Sequence, residues 1–359
     1  MPGTTLPPFP DDVQTHPLLI IDYELIKAGD REEIDRLWEA ATMLGFWYLK
    51  NHGADQEVND MFDVGAETLA LPLEERMKFE QGDNGQSFGY KKVGAQAIDG
   101  TGTNPGKFVD NIEFMNVSKD DALAYPQVVH LTYPSTINAR MENTVAPFVR
   151  KSLDVTYVTL NIFNDKLGLP EGTLESLHAM DEHSACEVRC TRSPPLQDKA
   201  AMNRAMLAAH TDFGSLTILH NRLGGLQVMP PGHDEWSYIR PIPGHAICNI
   251  ADALSLFSGG ILQSNIHRVV PPPGAQAEYE RWSLVFFTRP TSSKVLRALV
   301  ESSPIIADAV KKRPDKSFES DSTAAEWLAR RVRNQRINNR RGPDTWAASR
   351  GTEHTPTAA

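Results

Sequence analysis

Residues 208–219 read AAHTDFGSLTIL, residues 224–270 read GGLQVMPPGHDEWSYIRPIPGHAICNIADALSLFSGGILQSNIHRVV, and residues 281–287 read RWSLVFF. Short apolar runs recur across this region: Ser215 to Leu219, Gly225 to Val228, Trp236 to Ile239, Ala246 to Ile250 and Trp282 to Thr288. Glycine, proline and polar pairs separate them. Many short strands punctuated by turn signals predict an all-β sandwich or barrel.

The flanks read differently. Leu18 to Ile21 is a short apolar run of strand type, and Asp30 with Glu33 has the spacing of a capping box ahead of Ile34, Leu37, Trp38, Ala41 and Leu44 on one helix face. Gly45 ends that helix. Phe46 to Leu49 predicts a strand closed by the turn Asn51-His52-Gly53, and a second helix is expected over about residues 56 to 70. Gln81 to Asn111 is rich in glycine with scattered aromatics, and predicts a long loop, either a lid or binding loop or a plainly disordered stretch. The amphipathic pattern of residues 135 to 167 predicts a long helix stopping at Gly168. A C-terminal helix capped by Asp321 is expected to carry Arg330, Arg331, Arg333, Arg336, Arg340 and Arg341 on a solvated face. Beyond Gly342-Pro343 the composition predicts disorder. The expected organisation is a helical and mixed region over 1–180, a β core over 181–295, a helical extension over 296–342 and a tail over 343–359.

Composition bounds the function. The chain has 359 residues, 40% of them hydrophobic and 23% charged, so a packed globular protein is expected. A net charge of -10 argues against nucleic acid or an anionic membrane surface as partner. Three cysteines, Cys186, Cys190 and Cys248, cannot form a disulfide framework and fit a reducing compartment, so a cytoplasmic location is expected. No signal peptide and no membrane-spanning apolar run is read.

On a strand, residues i and i+2 share a face, so His210 and Asp212 would project an imidazole and a carboxylate into one space. His267, within Ser264 to Val269, supplies a second imidazole. Two histidines and one carboxylate on one side of a metal leave adjacent positions open, as Fe(II) oxygenases require, whereas structural zinc wants four closed ligands. Arg281 and Ser283 also share a strand face, and a guanidinium with a hydroxyl can hold a carboxylate.

These motifs, in this order, resemble the isopenicillin-N-synthase-like branch of the 2-oxoglutarate/Fe(II)-dependent oxygenases, and LLIIDYELI and GFWYLKNHG extend the resemblance over roughly residues 15 to 290. The resemblance implies an α+β fold, a double-stranded β-helix (distorted jelly roll) with flanking N-terminal and C-terminal helices. It implies Fe(II) on His210, Asp212 and His267, with 2-oxoglutarate anchored distally by Arg281 and Ser283 and O2 as the other co-substrate. Where the family often has Asn-x-Tyr before a double proline, this chain has Thr191-Arg192-Ser193-Pro194-Pro195, a departure at a position that helps seat the co-substrate. The implied reaction is oxidation of a C–H bond of a small organic molecule, a specialised metabolite, giving hydroxylation, desaturation or ring rearrangement with succinate and CO2. The alternative is an oxidase of the isopenicillin N synthase type that uses no 2-oxoglutarate. Tyr90 and Phe108 in the glycine-rich loop are the candidate substrate contacts, and His178, His183 and His220 are weaker ones.

Overall fold

The computed structural model describes residues 6–98, 109–196, 202 and 205–352. Among these, fourteen strands in three sheets are β1 (Ile20–Asp22), β2 (Phe46–Lys50), β3 (Gly89–Lys91), β4 (Glu113–Ser118), β5 (Glu187–Ser193), β6 (Leu207–His210), β7 (Leu216–Asn221), β8 (Leu226–Val228), β9 (Ser237–Tyr238), β10 (Ala246–Ile250), β11 (His267–Val269), β12 (Arg281–Thr288), β13 (Val295–Arg297) and β14 (Glu319–Thr323). The large sheet runs β1-β2-β10-β7-β12-β5-β4-β3, the small one β6-β11-β8-β9, and β13 pairs with β14 alone. Apart from the parallel pair β1 and β2, neighbours in the large sheet run antiparallel.

Period-two alternation decides which face of the large sheet meets what. Trp47, Leu49, Val188, Cys190, Leu216, Ile218, Leu284 and Phe286 turn outward into the main core, where helices Arg31–Met43, Asp55–Leu69 and Ala146–Lys166 cover them. Their neighbours Phe46, Arg189, Thr191, Thr217, Ser283, Val285 and Phe287 turn inward and line a cavity of about 1550 Å³ between the two sheets. The jelly-roll, α+β architecture expected from the sequence is therefore present, with one change of emphasis. The N-terminal region contributes β1 to β4 to the large sheet, so it is part of the β framework as well as a helical flank.

Local expectations meet the structure unevenly. Helix Arg31–Met43 is capped by Asp30, but the Glu33 carboxylate reaches the backbone of Asp22 instead of closing the box. Gly45 is needed where the chain turns: its φ is 79°, and a Cβ would lie 1.8 Å from the Gln263 carbonyl. The long helix begins later than expected, after a short helix Ser135–Asn138 and a π-helical turn Met141–Val145. The C-terminal helix Ala324–Gln335 is capped by Thr323 in a capping box with Glu326; Asp321 lies within β14, so the cap was expected two residues early. Of the segment 343–359 expected to be disordered, Pro343–Ala348 is a helix and Thr352 donates to Asp252, while residues 353–359 lie outside the described residues. Arg331, Arg336 and Arg340 are buried, so the expected solvated arginine face holds for Arg333 and Arg341 but not for these three. Arg331 pairs with Asp252, and Arg336 with Glu80 and Asp83.

Candidate metal centre

His210 closes β6 and lies directly opposite His267, which opens β11. This register places the imidazoles with ring centroids 4.4 Å apart. Asp212 lies just past the strand. Its Oδ1 is 3.6 Å from the Nε2 of each histidine. The turn, and not the strand alternation expected from the sequence, aims this carboxylate.

Each imidazole is held in one tautomer. His210 Nδ1 donates to the Ala208 carbonyl at 2.7 Å and His267 Nδ1 to the Asn265 carbonyl at 3.2 Å. A carbonyl only accepts, so the proton sits on Nδ1 and the Nε2 lone pairs converge with Asp212 Oδ1. Phe46 packs edge-on against the His267 ring, with centroids 5.5 Å apart. On the carboxylate, Oδ2 is taken by Thr217 Oγ1 at 2.7 Å and Asn249 Nδ2 at 2.8 Å, leaving Oδ1 as the inward oxygen. Burial acts to raise the Asp212 pKa, but His267, His210 and Asn249 outweigh it and hold the group well below the usual carboxylate range. Two imidazole nitrogens and one hard oxygen suit Fe(II).

A second layer fixes the strand that carries these ligands. Buried Asp252 accepts from Thr211 Oγ1 at 3.0 Å, Ser264 Oγ at 2.8 Å and Thr352 Oγ1 at 2.6 Å, and it pairs with Arg331. Arg331 Nη2 donates to the Thr211 carbonyl at 2.9 Å, and its guanidinium stacks 3.9 Å from the centroid of Phe213. Arg350 Nη1 donates to the Ala209 carbonyl at 2.8 Å.

Across the cavity, Arg281 Nε donates to the Gly224 carbonyl at 2.6 Å and Nη1 to Ser283 Oγ at 2.7 Å. Burial lowers the Arg281 pKa to about 10, still leaving it cationic at neutral pH. Gly225 sits at φ 111° against this side chain: a Cβ there would lie 3.0 Å from Arg281 Nε and 2.5 Å from the Val270 carbonyl. In register, Ser193 faces Arg281, while Thr191 and Asn221 face Ser283 from either side. Ser193 Oγ and Asn221 Nδ2 are buried with no hydrogen-bond partner among the described residues. Unsatisfied groups of this kind beside a cation suit an entering carboxylate.

Tyr90, expected at the pocket, is in the main core on the helix side of the sheet, where its hydroxyl donates to Glu113 Oε2 at 2.5 Å and accepts from Arg76. Phe108 lies outside the described residues. His178 and His220 are buried away from the cavity, and His183 is on the surface. Sequence reasoning missed Arg189. It lies two residues before Thr191 on the same cavity-facing side of β5, and that spacing was the available signal. Its guanidinium is flanked by Phe114 at 4.1 Å and Phe287 at 4.7 Å, and it donates to Asn116 Oδ1 at 2.8 Å and Glu187 Oε1 at 2.9 Å. Nη1 has no hydrogen-bond partner among the described residues.

Comparison with known proteins agrees with this geometry. Residues 183–290 match the model of the 2OG-Fe(II) oxygenase superfamily, and residues 18–138 match the N-terminal model of the non-haem dioxygenases in morphine synthesis. A 2-oxoglutarate-dependent dioxygenase of Gibberella zeae is 30% identical over 292 residues, covering 79% of this chain and 82% of its relative. Homoarginine-6-hydroxylase of Oryza sativa subsp. japonica is 29% identical, covering 71% and 76%. Among solved structures, a full-length Neurospora crassa protein in complex with alpha-KG superposes with a TM-score of 0.71 at 20% identity, covering 91% of this chain and 99% of that one. JOX2 in complex with 2OG, Fe and JA gives 0.70 at 20% identity, covering 98% and 95%. The chain belongs to the 2-oxoglutarate/Fe(II)-dependent dioxygenase family.

Proposed function

We propose that His210, Asp212 and His267 hold the iron of this dioxygenase and that Arg281 and Ser283, with Ser193, Asn221 and Thr191 around them, hold the distal carboxylate of 2-oxoglutarate. The observation that carries the reading is the convergence of two Nε2 atoms on Asp212 Oδ1 while Oδ2 is occupied by Thr217 and Asn249. Fe(II), 2-oxoglutarate and O2 together supply the oxidising power, and 2-oxoglutarate leaves as succinate and CO2. The residues of the chain bind and orient. Val285 and Phe287 line the route between the two anchors with apolar surface, and a dry wall there strengthens both electrostatic contacts.

We infer further that the substrate is a small organic molecule bearing a carbonyl or carboxylate, received by Arg189. Two phenyl rings and two hydrogen bonds fix that guanidinium, and such preorganisation lowers the entropic cost of binding. A cavity of about 1550 Å³ has room for co-substrate and substrate together, against roughly 300–1,000 Å³ for an ordinary ligand pocket. A plant relative named homoarginine-6-hydroxylase, beside a fungal relative named as a 2-oxoglutarate-dependent dioxygenase, supports a small organic substrate, which we read as a specialised metabolite. Relatives named as 2-oxoglutarate-dependent favour this reading over an oxidase that uses none.

The test is a panel of small carbonyl and carboxylate compounds scored for iron-dependent succinate formation, repeated with His210→Ala and Arg281→Ala. Stimulated succinate release by the parent and its loss in both variants are expected; full turnover in either variant would overturn the assignment of that residue.

A further inference from the structure

Outside the cavity lining, a second carboxylate and two imidazoles converge. Asp120 lies in the first turn of helix Lys119–Ala124, His130 in the connection that follows it, and His183 in the segment leading into β5. One ligand atom of each lies within 4.8 Å of the others. His130 Nε2 is 2.9 Å and His183 Nδ1 3.4 Å from the same atom, Asp120 Oδ2.

That oxygen already accepts the Ser184 N–H at 3.2 Å. A carboxylate oxygen has about two lone-pair sites, and the Ser184 and His130 donors fill them, so His183 Nδ1 stands 3.4 Å away in a contact that is not a hydrogen bond. One cation shared by this oxygen and the two imidazoles would engage the His183 nitrogen as well. The spacings suit it, since tetrahedral ligands at about 2.0–2.1 Å from a metal stand roughly 3.3 Å apart. Oδ1 is engaged by Lys119 Nζ at 2.9 Å, which holds the carboxylate with Oδ2 toward the histidines.

The ligands are also held in place. Asp121 Oδ1 accepts from the backbone N–H of Val129 and of His130, each at 2.8 Å, and the His183 carbonyl accepts from Ser292 N at 2.9 Å. Asp120 is buried, whereas the His130 and His183 side chains are 26% and 72% exposed, so an ion can enter without unfolding.

We propose that Asp120, His130 and His183 form a second metal site, for a divalent transition-metal ion of the zinc type, with water completing the coordination. An ion there ties the connection carrying His130 to the segment ahead of β5, and so stabilises the fold by mass action.

The test is equilibrium dialysis of the full chain against zinc(II), with bound metal measured in the parent, in His130→Ala/His183→Ala and in His210→Ala/His267→Ala. The surface double variant is expected to carry one zinc fewer than the parent and to show a smaller zinc-dependent rise in Tm, while His210→Ala/His267→Ala keeps the share of the rise that comes from the surface centre. Equal zinc in the parent and the surface variant would overturn the proposal. The other double variant reports separately on the iron ligands, so failure at one centre is distinguishable from failure at the other.

Discussion

Arg331 and Asp252 form an ion pair with both side chains fully buried, directly behind the strand that carries His210. Removing one partner of such a pair strands the other charge, at a cost of about 3–5 kcal/mol. Arg331→Ala is therefore expected to lower the Tm sharply and to weaken iron retention, through its bond to the Thr211 carbonyl beside His210 and Asp212. Differential scanning calorimetry with iron analysis checks this. A variant as stable as the parent would show that the pair does not brace the strand.

Thr217 and Asn249 donate to the Asp212 oxygen that faces away from the histidines. Outer partners of metal ligands are typically worth about 10–100-fold in affinity or activity. Asn249→Ala is expected to weaken Fe(II) binding within that range while far-ultraviolet circular dichroism stays unchanged. Anaerobic Fe(II) titration measures it.

Arg281 is expected to separate co-substrate binding from metal binding. Arg281→Ala should raise the KM for 2-oxoglutarate by at least tenfold and leave Fe(II) affinity near that of the parent. Arg281→Lys should recover only part of the loss, because an ammonium cannot reproduce the planar fork of a guanidinium.

Arg189 lines the cavity, with its guanidinium flanked by Phe114 and Phe287. Arg189→Met is expected to abolish the substrate-stimulated fraction of succinate release and to spare the slower release without substrate. Loss of both in parallel would place Arg189 with the co-substrate instead.

Burial pushes the His178 pKa down to about 4 and that of His220 to about 3, so both are neutral in the fold. Unfolded histidines take up protons near pH ~6.5. Below that pH the unfolded chain binds more protons than the folded one, and stability falls as pH drops from about 6.5 through the folded values. The full effect for His178 is on the order of 3 kcal/mol. His178→Gln should flatten this part of a pH–Tm profile, while losing the contacts to Ser215 and the Leu174 carbonyl.

The jelly roll was legible because strand alternation is a local signal, and every apolar run singled out between Ser215 and Thr288 overlaps a strand. The convergence of His210, Asp212 and His267 was legible by residue type and order, and the pairing of Arg281 with Ser283 by shared strand face. Three things were not. Tyr90 was expected in a loop, but pairing of β3 with β4 turns it to the helix side. The C-terminal arginines look like a solvated face until tertiary packing supplies the partners Asp252, Glu80 and Asp83, far away in sequence. The orphan donors Ser193 and Asn221 become visible only when β5, β12 and β7 are in register.

The brace behind the metal strand also has a direction in time. Arg331 and Arg350 follow the backbone carbonyls they grip, those of Thr211 and Ala209, by 120 and 141 residues. A ribosome therefore delivers His210, Asp212 and His267 well before the arginines that steady their strand, so a centre formed before Arg331 emerges would lack its brace. Iron capture during synthesis would meet a looser site than capture after release.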